Sequence, residues 1–213
     1  MESPEHLHPI PKDFEDTPFT EKMVLAQAIE ELIIEKKITS SHEIRHQVDL
    51  IDSRSPMLGA ELIAHGWLDS KFKEKLLINL NEAAKEIGID TGTIPIRAIE
   101  NTEKIHNLIV CTLCSCYPRM ILGLPPDWYK SREYRSRAVR EPRKVLLEFG
   151  TNIPKNVEVC VHDSTADLRY IVIPKRPPET IDWSFSQLTQ IITRDSMIGV
   201  DIPKILLSPR GQI

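Results

Sequence analysis

Three cysteines fall within six residues in Cys111-Thr112-Leu113-Cys114-Ser115-Cys116, and a fourth, Cys160, stands apart. Cysteines that close loops are spread along a chain, so this clustering points to metal or redox chemistry in a reducing compartment rather than to a disulfide framework. The cluster follows directly on the apolar run Leu108-Ile109-Val110. Three soft thiolates can converge there only if the backbone folds tightly around one centre. With Ser115 alone between Cys114 and Cys116, the amide nitrogens of Ser115 and Cys116 are drawn to that centre as well. A tetrahedral zinc site would need a fourth side-chain ligand from a distance, such as Cys160, His106 or His162. A metal that accepts thiolates together with deprotonated amides, and prefers square-planar or octahedral geometry, suits the spacing better; cobalt or iron qualifies. Structural zinc, an iron–sulfur ligand set and merely buried thiols are the bland alternatives for a short cysteine-rich loop.

The elements that must position this loop change character along the chain. Thr20 to Ile34 places apolar residues at three- and four-residue spacing behind an N-capping Thr20, which predicts an amphipathic helix. A second helix starts at Ser40-Ser41, and two more cover Gly59 to His65 and Ser70 to Ile87. From about Ile94 the pattern shortens into strands rich in β-branched residues: Ile94 to Ile99, Ile105 to Val110, Val157 to Val161 and Arg169 to Ile173. Between them, Pro125-Pro126 starts a short helix around Asp127 to Lys130, and Arg140 to Phe149 fits another that stops at Gly150. Pro174 to Pro178 reads as a rigid loop. The expected class is α+β, with a mainly helical arm over residues 1–90 and an α/β metal-binding domain over 91–213.

Composition narrows the function classes. The 213 residues, 41% hydrophobic, can build one sizeable core. A balance of 27 Lys+Arg against 31 Asp+Glu gives a net charge of −4, which supplies no general attraction to phosphate backbones or anionic lipid. The arginine-rich stretch Lys130 to Lys144 is interrupted by Glu133 and Glu141 and lacks aromatic residues laddered for bases, so it reads as a helix face carrying ion pairs. No apolar run approaches membrane-spanning length, and the acidic start Met1 to His6 has no apolar stretch behind it; a cytoplasmic protein is expected, without nucleic-acid or membrane partners. The histidines show no spacing suited to a joint site, the three tryptophans read as core or interface aromatics, and Cys160 as a small buried hydrophobe.

The stretch Val110-Cys111-Thr112-Leu113-Cys114-Ser115-Cys116-Tyr117-Pro118 resembles the metal-binding segment of nitrile hydratase alpha subunits. The likeness extends to Ile121 to Lys130, to Tyr134 to Leu146, to Arg169-Tyr170 with Val172-Ile173-Pro174, and to Thr193 to Val200; it runs from roughly Leu25 and is strongest after Val110. What the resemblance implies is a layered α-β-β-α domain and a low-spin trivalent metal held by three cysteine sulfurs and two main-chain nitrogens, one position being left for water or substrate. By position, Cys111 would be the unmodified thiolate, Cys114 a sulfinic ligand and Cys116 a sulfenic ligand, with Ser115 and Cys116 supplying amide nitrogens. Thr112 and Tyr117 look like the cobalt form, so cobalt(III) is expected and iron(III) is the alternative. The resemblance further implies hydration of a nitrile to its amide, with Cys116, Cys114 and Ser115 at the catalytic centre. It implies a beta-type partner subunit, in one chain or two, whose arginines bond to the oxidised cysteines, and a metallochaperone-like activator. Asp167 and Arg169 match outer positions of the site, and Arg135, Arg137 and Arg140 would brace the metal loop and the subunit interface.

Two departures bear on substrate. Arg119 stands where a Trp usually follows Tyr-Pro, and is similar in this to the gamma subunit of thiocyanate hydrolase, whose reaction releases ammonia and carbonyl sulfide. A cation beside the pocket favours an anionic substrate. Gly123 to Pro126 and Arg140 to Arg143 look instead like nitrile hydratase. Thr91 to Ile94 replaces a Gln-Gly-Glu element found in many relatives, which puts an ordinary aliphatic-nitrile specificity in question. The readings carried forward are a nitrile-hydrating subunit, a thiocyanate-hydrolysing one on the same centre, and a non-catalytic zinc or metal-carrying module.

Overall fold

A computed structural model of the chain describes residues 20–205. The chain divides into two compact units, Met1–Val48 and Asp49–Ile213. The change from helix to strand near residue 90 falls inside the second unit, where the helices between Met57 and Glu86 share one core with the strands that follow.

In the first unit, α1 (Glu21–Glu35) starts where Thr20 accepts a bond from the Met23 amide at 3.3 Å. None of its residues is buried, and Met23, Val24, Leu25, Ile29 and Leu32 are exposed. A reciprocal capping pair starts α2 (Ser41–Asp52): the Glu43 amide donates to Ser40 Oγ and the Ser40 amide to Glu43 Oε2.

The second unit opens with α3 (Met57–Leu68), longer at both ends than its sequence suggests, and continues into α4 (Ser70–Ile78) and α5 (Leu80–Glu86). A single helix over 70–87 is expected from the apolar spacing; the structure breaks it at Asn79. That residue is extended, with φ −154° and ψ 95°, and its side chain accepts from the Glu82 amide. A side chain that caps competes with the helix it interrupts, and periodicity cannot register this. Among the described residues no helix is long and apolar enough to cross a membrane.

Four short strands follow: β1 (Ile96–Glu100), β2 (Ile105–Val110), β3 (Glu158–Asp163) and β4 (Arg169–Ile173). They pair as two separate parallel ladders, β1 with β4 and β2 with β3, in a register that sets Ile96 against Arg169 and Val110 against Asp163. Parallel pairing demands long crossovers. The one between β2 and β3 carries α6 (Arg119–Leu122), α7 (Asp127–Lys130), α8 (Arg132–Arg140) and α9 (Pro142–Glu148). A 3-10 turn at Pro178–Thr180 and two helices, α10 (Phe185–Ile191) and α11 (Arg194–Ile198), complete the described chain. Helices α4 and α5 pack on β1, the two ladders meet through β2 with β4, and α8 and α9 cover β2 and β3. The order is helix, sheet, sheet, helix, so the class is α+β and the ladders are buried between helical layers. That burial explains why Leu108, Ile109 and Val110 are all apolar rather than alternating; they are at most 1% exposed.

Candidate metal centre

The loop begins as β2 ends. Cys111 continues the strand into the core and is 1% exposed, Cys114 is exposed, and Cys116 is half-buried. The sulfurs lie 3.4 Å apart between Cys111 and Cys114 and 3.2 Å apart between Cys114 and Cys116, and all three fall within 4.8 Å of one another. With metal–sulfur bonds of about 2.3 Å, ligands at right angles hold their sulfurs about 3.3 Å apart and tetrahedral ligands about 3.8 Å apart. The two successive spacings are those of right-angle ligands. Among the described residues, no histidine, carboxylate or further cysteine joins this group as a fourth donor. His106 is occupied in the core, Nε2 donating to the Gly199 carbonyl at 2.7 Å while Nδ1 faces Asn101. His162 bonds to Asn107, and Cys160 is half-buried in β3. Among the described residues, none of the three candidates for a fourth zinc ligand lies with the three sulfurs.

Residues far away in sequence hold the loop's backbone. Asp163, at the end of β3, accepts from the Thr112 amide at 2.9 Å and from its hydroxyl at 2.6 Å, while Arg135 of α8 donates to the Thr112 carbonyl at 3.4 Å. Tyr134 donates to the Ile109 carbonyl at 2.6 Å just before the loop, and Tyr129 to the Cys116 carbonyl at 2.9 Å at its end. Burial pushes both phenols well above their ordinary range, so they remain donors at any working pH. Sequence reasoning leaves out Asp163, Tyr129 and Tyr134. Alternation carried two residues past Val161 would have set Asp163 opposite the end of β2; nothing local marks the tyrosines.

The sulfurs are unequal. Contacts with Cys116 and then Cys111, helped by the amides of Ser115 and Cys116, bring the Cys114 thiol down to about 7. The Cys114 amide donates to Cys111 Sγ at 3.3 Å, so the loop's backbone turns inward at its second cysteine. Burial first, and then the Cys114 contact, push Cys116 up to about 12, against the pull of the Arg169 guanidinium.

Beside the loop opens a cavity of about 490 Å³, lined by Cys114, Ser115 and Cys116 on one side and by Thr91 to Ile94 on the other. Arg119, exposed at the first turn of α6, and half-buried Arg169 both line it, and Arg169 Nη1 is buried without a bonding partner. Asp167 is exposed in the turn between β3 and β4 and does not line the cavity. Of the arginines on α8, Arg135 touches the loop, Arg140 bonds within its own helix, and Arg137 points to a different task, pairing with Glu133, Glu141 and Glu148.

The family profile described as "Nitrile hydratase, alpha chain" matches residues 20–201. The chain is 44% identical over 180 residues to the low-molecular weight cobalt-containing nitrile hydratase subunit alpha of Rhodococcus rhodochrous, covering 83% of this chain and 86% of the relative. It is 41% identical over 193 residues to the thiocyanate hydrolase subunit gamma of Thiobacillus thioparus, covering 85% and 79%. A doubly substituted iron-type nitrile hydratase from Comamonas testosteroni Ni1 superposes with a TM-score of 0.84 at 36% identity, over 92% of this chain and 99% of that one. A profile match across most of the chain, relatives alike over most of their length and a shared fold all say the same thing: the chain belongs to the nitrile hydratase alpha chain family.

Proposed function

We propose that this chain is the metal-binding subunit of a cytoplasmic nitrile hydratase, in which water adds across a C≡N bond to give an amide. The oxygen of water bonds to carbon, both hydrogens end on nitrogen, and nothing leaves. The observation that carries the reading is the convergence of three cysteine sulfurs, 3.4 and 3.2 Å apart in succession, on one point beside the cavity. Cys111, Cys114 and Cys116 would supply the thiolates, and Ser115 and Cys116 the amide nitrogens. Cobalt(III) is the favoured ion, since the relative from Rhodococcus rhodochrous is a cobalt protein, and iron(III) is the alternative. When bound, the ion supplies a Lewis acid that polarises a nitrile or a water.

The chain's own residues do the rest. Asp163, Arg135, Tyr129 and Tyr134 hold the loop so that no ligand has to be reorganised during turnover. The Arg169 guanidinium favours negative charge on Cys116. With Cys114 oxidised to a sulfinate and Cys116 to a sulfenate by dioxygen during maturation, the oxygen on Cys116 would be the base that takes a proton from the attacking water. Arginines of a beta-type partner, in one chain or two, would complete the hydrogen bonds to these oxygens, and a metallochaperone-like activator would load the ion; Asp167, exposed and away from the cavity, has no part in this arrangement within the chain.

Arg119 favours a second reading, thiocyanate hydrolysis on the same centre, because it presents a cation to the cavity. The test is elemental analysis of the chain purified with its co-expressed partner from cells given cobalt and iron, followed by nitriles and thiocyanate assayed side by side. About one cobalt per chain with an amide product supports the proposal; ammonia and carbonyl sulfide favour the second reading; zinc or no metal withdraws both. Replacing Arg119 with Trp should lower any preference for thiocyanate over neutral nitriles, and an unchanged ratio would remove the residue from substrate selection.

A further inference from the structure

The cavity beside the sulfur loop is lined by two guanidiniums and no carboxylate. The two arginines are not equivalent. Arg169 is half-buried, with Nη1 shut away from solvent, and its charge acts on Cys116. Arg119 is exposed and, among the described residues, makes no ion pair or side-chain hydrogen bond, whereas Arg137 on α8 holds three carboxylates. An arginine fork left open at a cavity wall is a receptor for one planar anion, and carboxylate matches it bidentately. Ile94, Ile96 and Met120 make an apolar stretch in the same cavity. A three-atom anion fills roughly 60 Å³, about twice water's share of liquid volume. The cavity, at about 490 Å³, would remain several times larger than that even with half of it given over to a partner chain.

We propose that the substrate is a short-chain nitrile carrying a carboxylate, its C≡N end at Cys114–Cys116, its methylenes along Ile94, Ile96 and Met120, and its carboxylate on Arg119. This rests on the cavity being the nitrile-hydrating site, and it names the substrate class of that site. Selection by Arg119 differs from thiocyanate selection in that the charge and the reacting carbon sit at opposite ends of the molecule.

The test compares cyanopropanoate with its neutral methyl ester on the metal-loaded complex with the beta-type partner. Calorimetric binding of succinamate, the amide that cyanopropanoate would yield, is measured in parallel on the same complex. The expected result is a kcat/KM at least roughly tenfold higher for the anion, as befits one charge-assisted contact. Arg119→Gln brings the two substrates to parity and weakens succinamate by a similar factor; Arg119→Lys, which keeps the charge but loses the fork, falls between. Equal use of both nitriles by the unsubstituted protein, or a preference that survives in Arg119→Gln, overturns the proposal while leaving nitrile hydration intact. Preference for thiocyanate over cyanopropanoate, lost in Arg119→Gln, overturns it in favour of the three-atom anion. Should neither nitrile be hydrated, the hydratase reading fails, and Arg119-dependent binding of succinamate would still uphold the carboxylate site, its absence overturning that as well.

Discussion

Thr112 in the sulfur loop is gripped on three sides, its amide and hydroxyl by Asp163 and its carbonyl by Arg135, whereas Gly92 across the cavity has no side chain and a φ of 75°. The loop draws its support from strand β3 and helices α7 and α8. The facing wall relies largely on one residue of α5, Asn81, whose amide donates to Thr91 Oγ1 and the Ile94 carbonyl and accepts from the Ile96 amide. Chemistry that needs ligands fixed to fractions of an ångström is placed where many elements converge. The facing wall, held by fewer bonds, can vary in shape without moving a sulfur.

The contrast is broken most severely at the ligands. Cys114→Ala or Cys116→Ala should abolish metal binding and activity together, read as metal per chain and amide formed, and a variant keeping both would remove the loop from the centre. One shell outward, Asp163→Asn gives up an acceptor at the Thr112 clamp, and metal affinity or turnover should fall roughly 10- to 100-fold; an unaffected protein would mean that Arg135 suffices. Tyr129→Phe leaves the Cys116 carbonyl without its donor and should cost about 1–3 kcal/mol in unfolding free energy, measured by denaturant titration. On the wall, Gly92→Ala puts a Cβ 3.1 Å from Met120 Cγ in a backbone conformation that side chains avoid. Its effect should be confined to KM and substrate range, with metal content unchanged; loss of metal would show that wall and loop are coupled.

A smaller effect concerns the strands behind the loop. Burial lowers His106 below its ordinary 6.5 despite the bond to Gly199, and burial with the Arg97 charge does the same for His162. Between the folded value and 6.5 the unfolded chain binds protons that the folded chain refuses. Stability is therefore full above 6.5 and declines as pH falls through that window. Thermal midpoints at pH 7.5 and 5.5 would check it, and His106→Gln should flatten the difference.

What could be read from the sequence divides along the same line. The sulfur cluster was legible because three cysteines in six residues lie close together in any fold, and the structure brings their sulfurs within 4.8 Å of one another. Strands β2 and β4 were legible with their bounds, as was the α+β class, since β-branched runs between turn residues are a local signal. Asn79 was missed because its capping bond competes with a continuous apolar spacing. The stretch before Pro142 was read as the start of one helix, yet the chain makes two, as Glu141 at φ −142° separates α8 from α9. Asp163 was out of reach for another reason: its partner is 51 residues away and meets it only through strand register.

That register has a consequence for assembly of the protein. Because Val110 lies beside Asp163, a slip of one residue between β2 and β3 would turn Asp163 to the opposite face and strand Thr112 without its clamp. The loop can then take its shape only in a chain whose two distant strands have found each other correctly. A mispaired chain would keep its three cysteines close in sequence but lose the grip on the backbone between them, so the loop's shape reports on strand pairing 51 residues away.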